Sequence, residues 1–317
     1  MYSFVKAIAI TVAFLFVGQA HADPKFYSKQ ALVVNIDTGN VVLGKKETKV
    51  APIASLTKLM TAYVIATSNL DMLEEIEITD ADLRATRLGH RTIILKGAKY
   101  TREELLLLAL MSSSNRAAAA LARTHPAGFA GFVDLMNEKA FELGMYNSHF
   151  VDPTGIYNAN MSTPEDLVKL LVALRDHPMV GRFSTETYFK KEQVIKSKRK
   201  VYFKNKKTGK RYWRWARSSM DVTRYYGTTN RLLLTDDWDI HLQKTGYILA
   251  AGYCMAMIVN INGEDHAIVM LHAPNYKRRA IDAVKAKFWV EYHTEPTKAD
   301  MVKLDPFRLA NLRKPSR

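Results

Sequence analysis

The chain has 317 residues, 46 Lys and Arg against 31 Asp and Glu, and one cysteine, Cys254. A single cysteine excludes an internal disulfide, so a packed core must hold the fold. The formal net charge of +15 is concentrated: 13 Lys and Arg stand against Glu192 alone between Lys190 and Arg217. Such a segment calls for an anionic partner, whether polymer, lipid surface or nucleic acid.

The first 22 residues, "MYSFVKAIAITVAFLFVGQAHA", read as an export signal. Lys6 precedes an apolar run of 11 residues, Ala7 to Val17, and Ala20-His21-Ala22 forms a small-residue cleavage site. Eleven residues fall well short of the roughly 20 that span a bilayer. No later segment reads as a transmembrane helix, so no transmembrane anchor is expected. The remainder is expected to form one domain over 23–293 with a short basic tail over 294–317.

"ALVVNIDTGNVVLGKK" reads as a β-hairpin around Asp37-Thr38-Gly39-Asn40. "IASLTKLMTAYVIATS" has helical spacing, with Leu56, Leu59, Met60, Tyr63 and Val64 on one face. "YTREELLLLALM" starts a helix at a Thr101-x-x-Glu104 capping box. "SSSN" interrupts it, and "RAAAALAR" resumes with small residues suited to close packing. "AGFAGFVDLMNEKAFELGM" is amphipathic, and "STPEDLVKLLVALRDH" opens on Ser162, Pro164 and Glu165.

After residue 188 the pattern turns to strands. A basic, aromatic hairpin over about 190–217 surrounds the polar turn "KNKKTGKR". "HLQKTGYILA", "YCMAMIVNIN" and "HAIVMLHA" follow as three strands, with a turn at Asn262-Gly263, and "NYKRRAIDAVKAKFWVEYH" closes as a helix. Cys254 falls in a strand pattern and is expected in the core. The order predicts an α+β fold: an antiparallel sheet flanked by N- and C-terminal helices, with an all-helical part over about 70–188 inserted.

Three stretches carry chemistry. Ser55-Leu56-Thr57-Lys58 is S-x-x-K at a helix start, Ser113-Ser114-Asn115 is S-x-N between two helices, and Lys244-Thr245-Gly246 heads a strand. One helical turn puts Lys58 within reach of the Ser55 hydroxyl. A serine hydroxyl attacks only when a base takes its proton. A lysine desolvated beside a second cation, here Lys244, serves as that base. Ser113 is placed to relay a proton and Asn115 to hold a substrate amide. Gly246 leaves the strand edge open for substrate backbone. The backbone N–H groups of Ser55 and Tyr247 are candidates for an oxyanion hole. A second Lys-Thr-Gly, at Lys207 to Gly209, has no apolar run behind it and reads as a hairpin turn.

The trio occurs in penicillin-binding proteins and serine β-lactamases. Together, "ASLTKLMTA", "MSSSNRAAAALA", "DPTGI", "TTNRLL" and "KTGYILAAG" resemble the D-alanyl-D-alanine carboxypeptidase family of low-molecular-mass penicillin-binding proteins, closest to its endopeptidase branch. The resemblance spans about residues 28–291. It implies a β-lactamase/transpeptidase-like fold and a periplasmic serine peptidase, soluble or loosely associated with wall or membrane. The substrate would be peptidoglycan stem peptides, with β-lactams as covalent inhibitors and no cofactor. Ser55 would be acylated, Lys58 the base, and Ser113, Asn115 and Lys244 supporting groups, while Thr245 would meet the substrate carboxylate. Many relatives carry a further C-terminal β-domain and an amphipathic anchor, for which this chain ends too soon.

Alternatives remain at this stage. A carboxypeptidase cuts the same kind of bond. A β-lactamase would need a deacylation base. Glu165 is the obvious residue, but a Ser162-x-x-Glu165 capping box accounts for it. A pure binder would rest on the basic hairpin, whose Tyr202, Phe203, Tyr212, Trp213 and Trp215 interleave with Lys and Arg. The hairpin is expected to hold an anionic cell-wall polymer, nucleic acid being least accessible to an exported protein. The nine histidines have no metal-ligand spacing, and His266 reads as a strand residue.

Overall fold

The computed structural model describes residues 24–89, 93–305 and 307; the expected export signal lies outside them. The chain enters at β1 (Gln30–Asn35) and returns as β2 (Val41–Lys45) through a turn with Gly39 at φ +76°. The two-residue β3 (Ala51–Pro52) leads into α1 (Thr57–Thr67). The inserted body follows: β4 (Glu75–Glu77), α2 (Asp80–Ala85), β5 (Lys99–Thr101), α3 (Arg102–Leu110), α4 (Asn115–Arg123) and α5 (Gly128–Glu142). Then come β6 (Met161–Ser162), α6 (Pro164–Arg175) and α7 (Pro178–Thr185). A long ribbon, β7 (Tyr188–Lys204) and β8 (Arg211–Gly227), precedes β9 (Asp239–Ile248), β10 (Gly252–Ile261) and β11 (Glu264–Ala273), and α8 (Tyr276–Tyr292) and α9 (Lys298–Lys303) are the last elements among the described residues.

The main sheet is antiparallel throughout, in the order β2-β1-β11-β10-β9. Side chains alternate between its faces, and each face has its own core. Ala31, Val33, Met257 and Ile268 pack with Ala283 and Trp289 of α8. Leu32, Val34, Ile258 and Val269 face the helical body instead. This is why "YCMAMIV" is an unbroken apolar run: both faces of β10 are covered. Asn262 and Gly263, at φ +55° and +88°, make the tight turn into β11 with both central residues left-handed, as a two-residue hairpin requires.

Several expectations change in the structure. Among the described residues no N-terminal helix lies on the sheet, and α8 covers that face; Asp282 ties the entering chain to it by accepting the Tyr27 and Ser28 amides at 2.9 and 2.6 Å. Helix α1 is not one-sided. Thr57 to Met60 are all buried, so it runs through the middle of the body, as an all-round apolar helix must. Each fully buried leucine there, such as Leu59, stabilises by about 2 kcal/mol. The inserted body is helical apart from the short ladders β4–β5 and β3–β6. The capping box of α3 forms as expected, but the cap of α6 is Thr163, which accepts the Asp166 amide at 3.1 Å, not Ser162. Ser162 bonds Ser148 Oγ at 2.7 Å instead. The ribbon is longer than 190–217: each strand has 17 residues. Lys207 to Gly209 form its turn, where Asn205 Oδ1 accepts the Lys207 and Thr208 amides. Cys254 is buried in the core, and His266 is a buried strand residue.

Candidate active site

Ser55 sits on a 3₁₀ turn, Ala54–Leu56, between edge strand β9 and the start of α1. Ala54 is held at φ +48°, an uncommon conformation for alanine, stored directly before the nucleophile. The turn is clamped from two sides by glycines. A Cβ on Gly246 would lie 3.0 Å from the Ser55 amide nitrogen, and one on Gly155 would lie 1.9 Å from the Ala54 carbonyl oxygen. Gly246 therefore lets β9 close on the nucleophile turn. That is a different reason from the expected open path for substrate.

Lys58 is fully buried, and its ammonium has three partners. It donates to Ser55 Oγ at 2.9 Å, Asn115 Oδ1 at 2.7 Å and the Thr154 carbonyl at 2.5 Å. Burial pulls its pKa down from 10.5 to about 7, and the nearby Asp152 charge offsets part of that pull. Lys244 is also fully buried, with Nζ donating to the Thr245 carbonyl at 2.8 Å. Its pKa is lowered well below normal, first by burial and then by repulsion from Lys58 and Arg279. The sequence reading expected desolvation and repulsion from Lys244 together; for Lys58 the lowering comes from desolvation, and the repulsion between the two lysines falls on Lys244. The outcome is the same: a lysine able to shed its proton near neutral pH beside a serine hydroxyl.

The other expected residues gather around an open cleft of about 980 Å³, lined by Ser55, Ser113, Asn115, Thr245, Gly246 and Tyr247 together with others named below. Ser113, at φ +57°, occupies the break between α3 and α4. Ser114 caps α4, its hydroxyl accepting the Ala117 amide at 3.3 Å. The Asn115 oxygen is engaged by Lys58. Thr245 Oγ1 bonds Thr229 Oγ1 at 2.7 Å.

Glu165 is absent from the lining, as is every other carboxylate among the described residues. The capping-box argument against a deacylation base there fails, because Thr163 is the cap. Distance from the cleft replaces it.

Four contributors escaped the sequence reading of single residues. Arg279 of α8 lines the cleft almost fully buried; Nη1 donates to the Cys254 carbonyl at 3.1 Å and Nε has no partner among the described residues. Burial lowers its pKa to about 10, so it stays cationic at neutral pH. Nothing in "NYKRRAIDA" separates it from half-buried Arg278, which stacks on Tyr27 at 3.9 Å. Thr229 supports Thr245, and Phe307 in the basic tail packs on Tyr276 at the cleft rim.

Asp152 anchors the fourth feature. Its Oδ1 accepts from Thr154 N, Thr154 Oγ1 and Gly155 N at 2.6, 2.5 and 2.9 Å, and its Oδ2 from Asn160 Nδ2 at 2.6 Å. This carboxylate fixes the loop whose Thr154 carbonyl holds Lys58. Asp152→Asn is expected to slow acylation of Ser55 about tenfold, since an NH₂ group replaces an acceptor facing N–H donors. It also removes the charge that raises the Lys58 pKa, so the acid limb of the pH–rate profile moves to lower pH. A limb that stays put while the rate falls would assign Asp152 a purely structural role.

A serine hydrogen-bonded to a buried lysine of depressed pKa, at the wall of an open cleft between a sheet edge and a helical body, defines a serine hydrolase. Comparison with known proteins makes this specific. The family model described as D-alanyl-D-alanine carboxypeptidase matches residues 17–275, and the chain belongs to that family of serine DD-peptidases. It is similar to the D-alanyl-D-alanine endopeptidase of Escherichia coli, 34% identical over 90% of this chain and 83% of that one. The D-alanyl-D-alanine endopeptidase of Pseudomonas aeruginosa is 36% identical over 83% of this chain and 77% of its own. Among solved structures, the Streptomyces K15 DD-transpeptidase superposes with a TM-score of 0.71 at 25% identity, covering 84% of this chain and 97% of its own. The expected fold class is thereby met.

Proposed function

We propose that the protein hydrolyses D-alanyl bonds of peptidoglycan stem peptides as an exported, periplasmic endopeptidase cutting D-Ala-to-diamino-acid cross-links. The observation that carries this is the 2.9 Å bond from Lys58 to Ser55 Oγ, with the lysine pKa near 7. Neutral Lys58 takes the hydroxyl proton as Oγ adds to the D-alanyl carbonyl. The oxyanion is met by the Ser55 and Tyr247 amides. The C–N bond breaks as a proton reaches the leaving amine, by way of Lys58 and Ser113. Water then cleaves the ester at Oγ by the same route in reverse. Asn115 holds the stem-peptide amide, Thr245 and Arg279 supply a hydrogen bond and positive charge for a carboxylate, and Lys244 is a supporting group behind them.

The endopeptidase choice is supported by the names of the two relatives above and by the size of the cleft, about 980 Å³, whose lining takes in Leu88, Ile156, Tyr253 and Tyr276 as well as Ser55. A terminal D-Ala would fill little of that space. β-Lactams present a carbonyl and a carboxylate to the same groups and are expected to acylate Ser55. With no carboxylate among the described lining residues, deacylation of that adduct rests on Lys58 and Ser113 alone and is expected to be slow. The export pattern of residues 1–22 supports the location; among the described residues no helix is long and apolar enough to cross a membrane.

The test is intact mass after incubation with benzylpenicillin. The protein is expected to gain a stable adduct, and Ser55→Ala none. Cross-linked muropeptides should then be cut faster than uncross-linked pentapeptides. Penicillin turned over without an adduct would mark a β-lactamase, and untouched penicillin would mean the site does not act on such carbonyls.

A further inference from the structure

The β7–β8 ribbon is larger than the cleft needs. Its base is built into the body: Ile195, Val222 and Tyr226 are buried, Tyr226 Oη bonds Tyr100 Oη at 2.7 Å, and Lys191 pairs with Glu104 at 2.6 Å. Tyr225, Tyr226 and Gly227 of the base also wall the active cleft. Beyond Ile195 the ribbon continues to Lys204, nine residues or about 30 Å at strand rise. The described aromatic side chains of this outer part stand in solvent: Tyr202, Trp213 and Trp215 are 69%, 46% and 57% exposed. These three rings therefore do not pack on the domain.

The register shows how the outer part is arranged. Lys200 pairs with Trp215, Tyr202 with Trp213, and Lys204 with Arg211, so these share one face. Val201–Arg214 and Phe203–Tyr212 share the other. Lys200 Nζ lies 4.3 Å from the Trp213 ring centre and 5.6 Å from that of Trp215, while Phe203 stacks on Tyr212 at 5.5 Å. From Lys198 to Arg217 there are ten Lys and Arg and no acid. Each face carries both flat rings and cations.

This pattern selects among anionic partners. A bilayer entered tip-first would have to accept the five cations between Lys204 and Arg211, and a ribbon lying flat would leave one face of rings in water. A flexible chain engages both faces. Rings that stack on sugar faces, interleaved with cations that pair with carboxylates, suit a carboxylate-bearing glycan. Continuity of the ribbon with the cleft wall adds that this glycan is the one that carries the substrate.

We propose that the outer β7–β8 ribbon is a second binding site, a docking arm for the carboxylated glycan polymer, which holds the wall beside the cleft. The proposal rests on the peptidoglycan reading above.

The experiment is co-sedimentation of the full chain with purified sacculi, done in Ser55→Ala so that the sacculi are not digested. Binding is expected to weaken at least about tenfold from about 50 to about 300 mM salt, as screening shortens the reach of exposed charges. The combined Lys200→Gln, Lys204→Gln, Arg211→Gln and Arg214→Gln variant should lose about tenfold or more, since four exposed charge contacts are removed together. Trp213→Ala with Trp215→Ala should lose affinity with the salt dependence kept. With Ser55 present, both variants should acylate with benzylpenicillin at the normal rate and digest soluble muropeptides normally, but digest intact sacculi more slowly. Salt-insensitive binding, unchanged binding in the variants, or equal affinity for phosphatidylglycerol vesicles or a single-stranded oligonucleotide would overturn the proposal. An adduct without sacculus binding sinks the docking arm alone. Absence of an adduct sinks the enzymatic reading, and the sedimentation arms still judge the ribbon.

Discussion

Lys58→Met is expected to slow benzylpenicillin acylation of Ser55 by about 10³-fold or more, the usual scale for loss of a positioned base. Methionine keeps the length of the side chain and removes the group that receives the hydroxyl proton. In the unsubstituted protein the same lysine sets the pH dependence. Its folded pKa of about 7 means that it is protonated, and useless as a base, in acid. Acylation should therefore fall about tenfold per pH unit below that value and level off above it. Folding stability carries a matching signature. Between about 7 and 10.5 the unfolded lysine binds a proton that the folded one does not, so stability rises with pH in that window, by about 1.4 kcal/mol per unit for this one group. In Lys58→Met the slope should be one proton shallower. An acylation rate flat from about pH 5.5 to 8.5 would place the base elsewhere.

The parts legible in sequence were those fixed by local pattern. The S-x-x-K serine and lysine sit one helical turn apart, so their 2.9 Å bond follows from spacing. Asn115 was readable because it restarts a helix after a break, and its oxygen does meet Lys58 at 2.7 Å. The strand behind Lys244 was an apolar run that only a covered strand explains. What the sequence did not disclose depends on distant segments meeting. Arg279 is 35 residues beyond Lys244 in a basic helix and is distinguished only by which side of α8 faces the cleft. The cause of the Lys58 shift could not be ranked without burial. The cap of α6 was misplaced by one residue because Ser162 and Thr163 are equally good caps by chemistry, and only backbone position chooses between them. The outer ribbon was readable as charge and aromatics, but its exposure was not.

Gly155→Ala is the substitution expected to damage the site most from outside the reacting groups. Gly155 holds φ +78°, which costs an alanine about 1 kcal/mol. The larger effect is contact. The new Cβ would lie 1.9 Å from the Ala54 carbonyl oxygen and 2.9 Å from the Ser55 amide, both backbone atoms that no rotamer change can move. Either the nucleophile turn or the Asp152-braced loop must shift by about 1 Å, a displacement that costs on the order of 100-fold in rate where reacting atoms must be aligned. Gly144 provides the control. It stands just past α5 at φ +70°, where a Cβ would meet nothing within 4 Å, so Gly144→Ala carries the conformational cost alone. Gly144→Ala should lose about 1 kcal/mol of stability and acylate normally. Gly155→Ala should lose clearly more stability, measured by denaturant titration, and acylate about 100-fold more slowly. Equal stability losses with normal acylation in both would mean that the turn at Ser55 does not depend on close approach of the Gly155 backbone.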